Sequence, residues 1–436
     1  MAIVDRGDIA TRVYYLAAMR SGSVIVPIDP EWPQSRVDSV IRAAAVDTVM
    51  DSAPAAASEP PREREPVCGG TLRSWRLDDF YVGRARELVE RDILYVLFTS
   101  GSTGRPKGVP VGEASVLAML GSVRELLNFS EDDRFSATFR LAFDLSVFDI
   151  LVPLSVGATS VLPESRVDVM HAADYVRGAG LTVWFSVPSV IEIAAVLGQL
   201  PDDSGCGLRY SLFCGERLSS ELAATWRRFS GTSVLGNLYG PTEATVACIG
   251  HLDAPDRDVG APESGSIPIG RPFSGVSILI GSERSPEELL LRGAQVFAGY
   301  LDPGDDEDAF EWRGGDRWYR TGDRVVEAGG RLHHLGRLDR QVKVSGHRIE
   351  LGEIEAAFLR AGARRAHASV REHGARLEIV LFLPSDGHHQ SLVSTASALL
   401  PPYMRPSRIV PVSAFPLSDN GKVDVRALLQ SPEAAE

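Results

Sequence analysis

The sequence predicts an α/β protein with a large N-terminal region and a small α+β region at its C-terminal end. Residues 181–187 and 208–213 are apolar runs with the length and composition of buried parallel strands, and each leads into a helix-like segment. After residue 350, apolar residues recur at helical spacing, and residues 377–383 and 392–400 have the patterns of a strand and a helix. This tail is long enough to form a small separate domain.

The composition is that of an ordinary soluble globular protein. The chain has 436 residues, of which 44% are hydrophobic and 24% charged, which leaves room for two or more domains. The formal net charge is −13 and no Lys/Arg-rich block occurs, so we expect no nucleic-acid partner. An anionic ligand must therefore be bound by a local site.

Four scattered cysteines, Cys68, Cys206, Cys214 and Cys248, form no Cys-x-x-Cys pair and are too few for a disulfide framework. The N-terminus lacks the basic-then-apolar pattern of a signal peptide, and no run of about 20 apolar residues could span a bilayer. We therefore expect a reducing compartment, a cytoplasmic location and no membrane partner.

The first residues predict a helix followed by a strand. Residues 10–21 carry apolar side chains at helical spacing and end at Gly22, and residues 24–28 then have a strand pattern. Residues 54–70 are rich in Ala, Pro, Ser, Glu and Arg without an apolar period, which predicts a solvated loop.

Residues 94–111 combine a buried-strand pattern with a loop of glycines, small hydroxylated residues and one lysine. Glycines let the backbone approach a ligand closely, and hydroxyls and an ammonium can donate to phosphate oxygens. The residues concerned are Thr99, Ser100, Gly101, Ser102, Thr103, Gly104, Lys107 and Gly108. This is not a Walker loop, because Pro106 precedes the lysine and a glycine follows it. Taken alone, the pattern fits a flexible surface turn equally well.

Residues 115–127 are predicted to form a helix, and residues 142–154 are an apolar segment interrupted by Asp144. A carboxylate among such apolar neighbours is costly to bury unless a cation pairs with it. The alternative is that Asp144 caps the N-terminus of a helix, with Ser146 nearby.

Polar residues follow the carboxyl ends of the predicted parallel strands. Cys214, Gly215 and Glu216 follow residues 208–213, and residues 239–245, Tyr-Gly-Pro-Thr-Glu-Ala-Thr, follow another apolar run at 233–238. Ligands bind at this edge of open α/β sheets. Glu243 could hold a metal and Tyr239 could stack on a base, although a plain turn remains the alternative for the Gly-Pro pair.

Three charged segments occupy the last third of the chain. Asp323 lies in a turn-like segment, residues 336–348 carry charges that would ordinarily indicate a solvated face, and an Asn-Gly turn presents Lys422. Lys422 taken alone is weak evidence, since most exposed lysines only aid solubility.

Together these segments resemble the adenylate-forming superfamily. The resemblance is closest to the amino-acid adenylation domains of nonribosomal peptide synthetases and to the D-alanine to carrier-protein ligases. The matching segments follow the family's order over nearly the whole chain: residues 18–22, 26–30, the glycine loop, 143–146, 239–245, 319–323, 336–343 and 420–424.

The resemblance implies the fold in more detail. Residues 1–338 would form a large α/β domain of layered, mixed sheets and helices, without several tens of residues that the family has at its N-terminus. Residues 339–436 would form a small α+β lid domain, joined to the first by a hinge at Asp339.

The resemblance also implies ATP and Mg²⁺ as cofactors. The glycine loop would close over the β- and γ-phosphates, Glu243 would bind Mg²⁺, and Asp323 would bind the ribose hydroxyls. The remaining nucleotide contacts would come from Gly215, Glu216, Asn237, Tyr239, Gly240, Thr242 and Arg337. Lys422 would be catalytic, bridging the substrate carboxylate and the α-phosphate, and Arg337 would assist near the ribose and phosphate.

Asp144 would bind the substrate's ammonium, which favours an amino acid over a fatty or aryl acid. By motif position, the side-chain pocket would be lined by Leu145, Phe148, Trp184, Ser186, Leu212, Cys214, Leu238, Val246 and Ala247. These residues are uncharged and mostly apolar, so we expect a small uncharged substrate side chain. Alanine is favoured by a particular likeness to D-alanine ligases, with proline as the next choice and serine or glycine as further candidates.

The expected partner is a separate phosphopantetheinylated carrier protein, because only residues 425–436 follow Asp424. Two alternatives are an acyl- or aryl-CoA ligase of the same superfamily and a non-catalytic nucleotide-binding protein. Asp144 argues against the first alternative, and Lys422, Glu243 and Asp323 argue against the second.

Overall fold

The computed structural model describes residues 1–52, 65–67, 70–74, 92–100, 105–202, 206–231, 233–253, 265–373, 376–385, 389–416 and 423–431. The chain divides into two compact units. The first comprises Met1–Pro30, Val40–Phe98 and Lys107–Leu338, and the second comprises Glu31–Ser39, Thr99–Pro106 and Asp339–Glu436.

The first unit begins with a five-stranded sheet. Its strands are β1 (Ala2–Val4), β2 (Val26–Ile28), β3 (Thr48–Asp51), β4 (Glu65–Val67) and β5 (Gly70–Ser74). Helix α1 (Ile9–Arg20) connects β1 to β2, and helix α2 (Gln34–Ala43), whose residues 34–39 belong to the second unit, lies between β2 and β3 in the chain. The strand order is β2-β1-β3-β5-β4, with β1 parallel to both of its neighbours and β5 antiparallel to both of its own. The predicted first helix and strand are confirmed. The predicted loop at 54–70 lies largely outside the described residues, but β4 forms in its last part.

A seven-stranded sheet forms the centre of the first unit. Its strands and the neighbouring elements are β6 (Ile93–Thr99), β7 (Lys107–Gly112), α3 (Glu113–Leu126), β8 (Arg134–Ser136), α4 (Leu145–Val156), β9 (Thr159–Val161), α5 (Arg166–Met170), α6 (Ala172–Gly178), β10 (Val183–Ser186), α7 (Pro188–Val196), β11 (Tyr210–Phe213), α8 (Ser220–Ser230), β12 (Val234–Tyr239), β13 (Ile249–Asp253) and β14 (Arg271–Pro272). The order is β14-β13-β12-β11-β10-β8-β9, while β6 and β7 pair with each other. Strands β8 to β12 run parallel, as the apolar runs predicted, and β13 and β14 are antiparallel.

The two faces of this sheet bury different cores, because side chains alternate along each strand. On one face, Phe185 of β10 and Leu212 of β11 pack with Phe148 of α4. On the other face, Trp184 of β10 packs with Trp226 of α8, with ring centroids 5.2 Å apart. The core on the first face also includes residues at the ends of α4 and β12.

A third sheet of the first unit is antiparallel. It contains β15 (Val276–Ile280), β16 (Glu288–Gly293), β17 (Phe310–Arg313), β18 (Asp316–Ala328) and β19 (Arg331–Arg337). The order is β15-β16-β18-β17, with β19 pairing with the far part of the long strand β18.

The second unit has its own core. Its elements are β20 (Gln341–Val344), β21 (His347–Glu350), α9 (Leu351–Arg360), β22 (His367–His373), β23 (Arg376–Pro384), α10 (His389–Ser397), β24 (Arg408–Val412) and α11 (Val425–Leu429). A hairpin of β20 and β21 precedes α9, and β22, β23 and β24 form a three-stranded sheet. Ile354 and Phe358 on α9 pack against Leu381 of β23. The helix and strand predicted for this tail are confirmed.

No helix in the described ranges is both long and apolar enough to cross a membrane.

A buried ion cluster ties the third sheet together and generates a stability prediction. Arg320 on β18 lies 3.1 Å from Glu288 of β16 and 3.5 Å from Glu311 of β17, and all three side chains are at most 8% exposed. Replacing Arg320 by Met would remove the cation that pairs with the buried Glu288 carboxylate, whereas Glu311 would keep its ion pair with Arg313. We expect the free energy of unfolding to fall by roughly 3–5 kcal/mol, measured by urea denaturation.

The matched control is Arg292→Met in the same sheet. Arg292 lies 2.8 Å from Asp316, but both side chains are more than 40% exposed, so its loss should cost about 1 kcal/mol or less. Equal costs for the two variants would contradict the role given to the Arg320 cluster.

Candidate active site

One buried carboxylate, Asp323 of β18, gathers partners from two other strands. The Tyr239 hydroxyl at the end of β12 donates to Asp323 Oδ2 at 2.6 Å. Arg337 Nη1 at the end of β19 donates to Asp323 Oδ1 at 2.9 Å and to the Thr321 carbonyl at 3.1 Å. His334 Nε2 lies 3.2 Å from the same carboxylate oxygen. Burial, followed by the negative charge of Asp323, raises the pKa of Tyr239, so this hydroxyl stays protonated and serves as a donor.

Glu243 is a second buried carboxylate, and it lies in a short 3-10 turn directly after β12. Its Oε1 accepts a hydrogen bond from the Tyr300 hydroxyl at 2.8 Å. Lys107, the first residue of β7, places its ammonium 5.2 Å from the centre of the Tyr300 ring and 3.6 Å from Asp305 Oδ1. The glycine-loop lysine and the predicted metal ligand are therefore linked through one tyrosine. The sequence did not reveal Tyr300 or Asp305, because neither lies in a recognisable motif.

The turn that carries Glu243 has an unusual backbone. Thr245 and Val246 have φ angles of 56° and 69°, in the left-handed region that a β-branched residue rarely adopts. Gly240 is required, because a Cβ there would lie 2.6 Å from the Val246 carbonyl oxygen. Gln295 fixes the turn in two ways. Its side-chain amide nitrogen donates to the Ala247 carbonyl at 2.7 Å, and its main-chain carbonyl accepts from the Thr245 hydroxyl at 2.7 Å. These features disfavour a plain connecting turn.

Gly215 and Glu216 follow the end of β11, as predicted. Gly215 has a φ of +90°, and a Cβ there would lie 3.2 Å from Val187. Glu216 accepts a hydrogen bond from the Ser189 amide at 2.9 Å, in the first turn of α7. A carboxylate at this end of a helix is favoured by the helix dipole.

Asn237 and Thr242 occupy the neighbouring positions on and after β12. The Asn237 amide donates to the carbonyls of Ile267 and Pro268 at 3.1 and 3.0 Å, so it anchors the segment that leads to β14. Thr242 begins the 3-10 turn.

Seven of the nine predicted pocket residues belong to one large buried core: Leu145, Phe148, Leu212, Cys214, Leu238, Val246 and Ala247. For Trp184 and Ser186 the assignment to the pocket stays a prediction. Trp184 packs in the opposite core and donates to Ser186 Oγ at 2.9 Å. Because side chains alternate along β10, the residue that faces the first core is Phe185, with its ring centroid 4.3 Å from that of Phe148.

Asp144 stands directly before α4, at the N-cap position, but its side chain makes no capping hydrogen bond. Its φ and ψ of −61° and −29° are helical, whereas a capping residue ordinarily has extended backbone. Ser146 donates instead to the Phe143 carbonyl at 2.6 Å. The capping alternative for Asp144 is therefore excluded, and its half-buried carboxylate lies beside the pocket residue Leu145.

The glycine loop is only partly described. Thr99 ends β6, and the Ser100 hydroxyl donates to the Arg348 carbonyl at 2.7 Å within the second unit. Gly101, Ser102, Thr103 and Gly104 lie outside the described residues, and so does Lys422.

Two relatives of stated activity align with nearly the whole of this chain. An L-proline to L-prolyl-carrier-protein ligase of Streptomyces coelicolor is 33% identical over 95% of this chain and 84% of its own length. A second ligase of the same description, from Pseudomonas fluorescens, is 33% identical over 96% of this chain and 86% of its own. The expected particular likeness to D-alanine ligases is thus not supported, since these carrier-protein ligases act on proline.

Solved structures agree with this relationship. The Vibrio cholerae adenylation domain AlmE, determined with glycyl-adenosine-5′-phosphate, superposes with a TM-score of 0.82 at 29% identity, covering 98% of this chain and 88% of that one. PA1221, a nonribosomal peptide synthetase protein with adenylation and carrier domains, superposes with a TM-score of 0.78 at 26% identity, covering 99% of this chain and 75% of that one. A family model described as "AMP-binding enzyme" matches residues 3–301, and this chain therefore belongs to the AMP-binding enzymes, with the fold of an adenylation domain.

Proposed function

We propose that this protein activates a small uncharged amino acid with ATP and transfers it to the phosphopantetheine thiol of a separate carrier protein. The observation that carries the proposal is Asp144, a carboxylate that does not cap its helix and stands at the edge of an apolar wall. A carboxylate beside apolar side chains favours a cation as its ligand. The substrate's ammonium supplies it, and the two carrier-protein ligases described above support the amino-acid class.

The pocket supports a small side chain. Phe148 and Phe185 fill the wall with two rings in contact, and Leu212, Leu238 and Val246 complete it without any charged group. Alanine of either hand, serine, glycine and proline fit this description. A hydrophobic pocket separates neighbours that differ by a methylene by only about 1–3 kcal/mol, so we propose the class of side chain and not one amino acid.

The nucleotide is assigned to the groups at the carboxyl ends of β11 and β12. Asp323 accepts the ribose hydroxyls, since a carboxylate has about four acceptor positions and can add ligand bonds to those from Tyr239 and Arg337. Tyr239 stacks on adenine, and Gly215, Glu216, Asn237, Gly240 and Thr242 border the nucleotide. The glycine loop, with Lys107 at its end, binds the β- and γ-phosphates.

Glu243 fits a magnesium site only if phosphate oxygens of the nucleotide supply other ligands. Within the described residues, no three His, Cys, Asp or Glu side chains converge as a metal site. Magnesium is commonly held by one or two carboxylates together with substrate phosphates, and Glu243 is buried and oriented by Tyr300. Bound there, Mg²⁺ would neutralise charge on the phosphates.

The reaction joins a substrate carboxylate oxygen to the α-phosphorus while the bond to pyrophosphate breaks. Asp144 fixes the ammonium end of the amino acid, so the carboxylate end can be held in line with the phosphorus. Lys422 bridges that carboxylate and the α-phosphate, and Arg337 stabilises the charge that builds near the ribose and phosphate. In the second half-reaction the thiol sulfur attacks the carbonyl carbon of the adenylate, AMP leaves, and the thiol proton is lost.

The substrate class is tested by amino-acid-dependent ATP–pyrophosphate exchange. We expect exchange with at least one of alanine, serine, glycine or proline, and none with propionic, cyclopentanecarboxylic, benzoic or fatty acids, because those acids lack the ammonium. An acid without an amino group that exchanges as fast as the best amino acid would overturn the proposal in favour of an acyl- or aryl-CoA ligase. No exchange with any acid, with nucleotide still bound, would indicate a non-catalytic protein.

Tyr300→Phe tests the Glu243 assignment. The change removes the donor from a buried carboxylate, and a hydrogen bond to a charged group contributes about 1.5–3 kcal/mol, so half-saturating Mg·ATP should rise about tenfold or more. The half-saturating amino acid concentration should stay unchanged. Tyr175→Phe is the control, because that hydroxyl donates to the Val161 carbonyl and lies in the opposite core. Equal increases for ATP and amino acid would contradict the assignment.

Asp339→Pro tests the proposed hinge. Asp339 directly follows Lys107–Leu338, the last segment of the first unit. Proline fixes φ and prevents backbone rotation there, so we expect pyrophosphate exchange to persist and carrier loading to be lost. Both half-reactions are measured on one preparation with a cognate carrier. Asp339→Asn is the control, since it keeps backbone freedom and the oxygen that accepts from the Gln341 amide at 3.1 Å. Wild-type loading by Asp339→Pro would exclude a hinge at this residue.

A further inference from the structure

We propose that Arg36 and Glu353 are positioning residues for the transfer to the thiol, because their buried ion pair holds the second unit in the form that serves this step. The inference deepens the proposed function and rests on it, since it concerns the second of the two half-reactions. Both residues belong to the second unit.

The ion pair joins residues that are 317 positions apart in the chain. Arg36 Nη1, on α2, donates to Glu353 Oε1, in the first turn of α9, at 2.6 Å. The two side chains are only 6% and 7% exposed. The Arg36 guanidinium also lies 5.1 Å from the centre of the Trp32 ring, a distance at which the ring attracts a cation. Arg36 is therefore held by two partners in the same unit.

The path of the chain requires this pair to open when the hinge turns. The second unit includes Glu31–Ser39 and Asp339–Glu436. Helix α2 continues from the first of these segments into residues 40–43, which belong to the first unit. Breaking α2 at that point would leave backbone groups unpaired at new helix ends. A rotation at Asp339 therefore moves Glu353 while Arg36 stays with α2, and the two side chains separate.

A buried ion pair suits a contact that forms and opens repeatedly. Taking an ion out of water is costly, and the attraction within the pair offsets that cost only where the geometry is good. Arg36 Nε and Glu353 Oε2 have no hydrogen-bond partner in the part of the chain that the structure describes, so both groups gain hydration when the pair opens. The pair thus fixes the position of α9 without making the paired form too stable to leave.

A second contact indicates which half-reaction the paired form serves. The Ser100 hydroxyl donates to the carbonyl of Arg348 at 2.7 Å. Arg348 lies on β21, which leads directly into α9 and Glu353. A serine hydroxyl has one hydrogen to donate, so Ser100 does not donate to a phosphate oxygen while it donates to Arg348. The paired form therefore fits the state after pyrophosphate has left, when the thiol attacks the adenylate.

The experiment measures both half-reactions of Arg36→Met on one preparation. They are ATP–pyrophosphate exchange with the preferred amino acid, and single-turnover transfer from the enzyme-bound adenylate to pantetheine as the thiol. We expect transfer to slow about tenfold or more, because losing one partner of a buried pair lowers the population of the competent form. Exchange should continue at the wild-type rate, since the pair is open during adenylation.

Arg371→Met is the matched control. Arg371 lies 3.3 Å from Glu378, and both residues belong to Asp339–Glu436, so this pair stays intact when the hinge turns. Neither half-reaction should change in this variant. If Arg36→Met does not fold, Glu353→Gln is measured instead, because it keeps the size of the side chain and removes its charge. We expect the same selective loss of transfer.

The ratio of the two rates separates positioning from a general effect on folding. Wild-type transfer, or an equal loss of exchange and transfer, in a folded variant would overturn the inference and leave the proposed function standing. Absence of amino-acid-dependent exchange in the wild-type protein would overturn the proposed function itself.

Discussion

The alternation of side chains along β10, β11 and β12 is the constraint on which this site depends. Each strand of the central sheet sends successive side chains into two separate cores, so every second residue can reach the pocket and its neighbours cannot. Phe185, Leu212 and Leu238 face α4, whereas Trp184 and Phe213 are buried against α6 to α8. A one-residue shift of register would replace the apolar wall beside Asp144 with the opposite core.

The same strands deliver polar groups where they end. Parallel strands place their carboxyl ends at one edge of a sheet, and loops leaving that edge carry Gly215, Glu216 and the Glu243 turn. Two buried carboxylates of the candidate site are held by donors from other elements: Asp323 of β18 by Tyr239 and Arg337, and Glu243 by Tyr300. Such donors hold the charged oxygens in defined positions.

Sequence patterns predicted the parallel strands, the first helix and the residues at the strand ends, because these depend on local periodicity and composition. Contacts between distant segments were not predictable in this way. Tyr300 lies 57 residues from Glu243, which it orients, and no local pattern marks it. Trp184 and Ser186 were assigned to the pocket by motif position, and that assignment stays a prediction. The shape of the Glu243 turn depends on left-handed angles at Thr245 and Val246, which residue propensities disfavour.

The central claim is that Asp144 recognises an ammonium ion, and Asp144→Asn tests it most directly. This change keeps the size of the side chain and removes its charge. The measurement is kcat/KM for ATP–pyrophosphate exchange with the preferred amino acid, compared with nucleotide affinity in the same preparation. We predict that kcat/KM falls by about a hundredfold or more, as for a buried charge that loses its partner, while nucleotide affinity is retained. Exchange at the wild-type rate by Asp144→Asn would contradict the assignment.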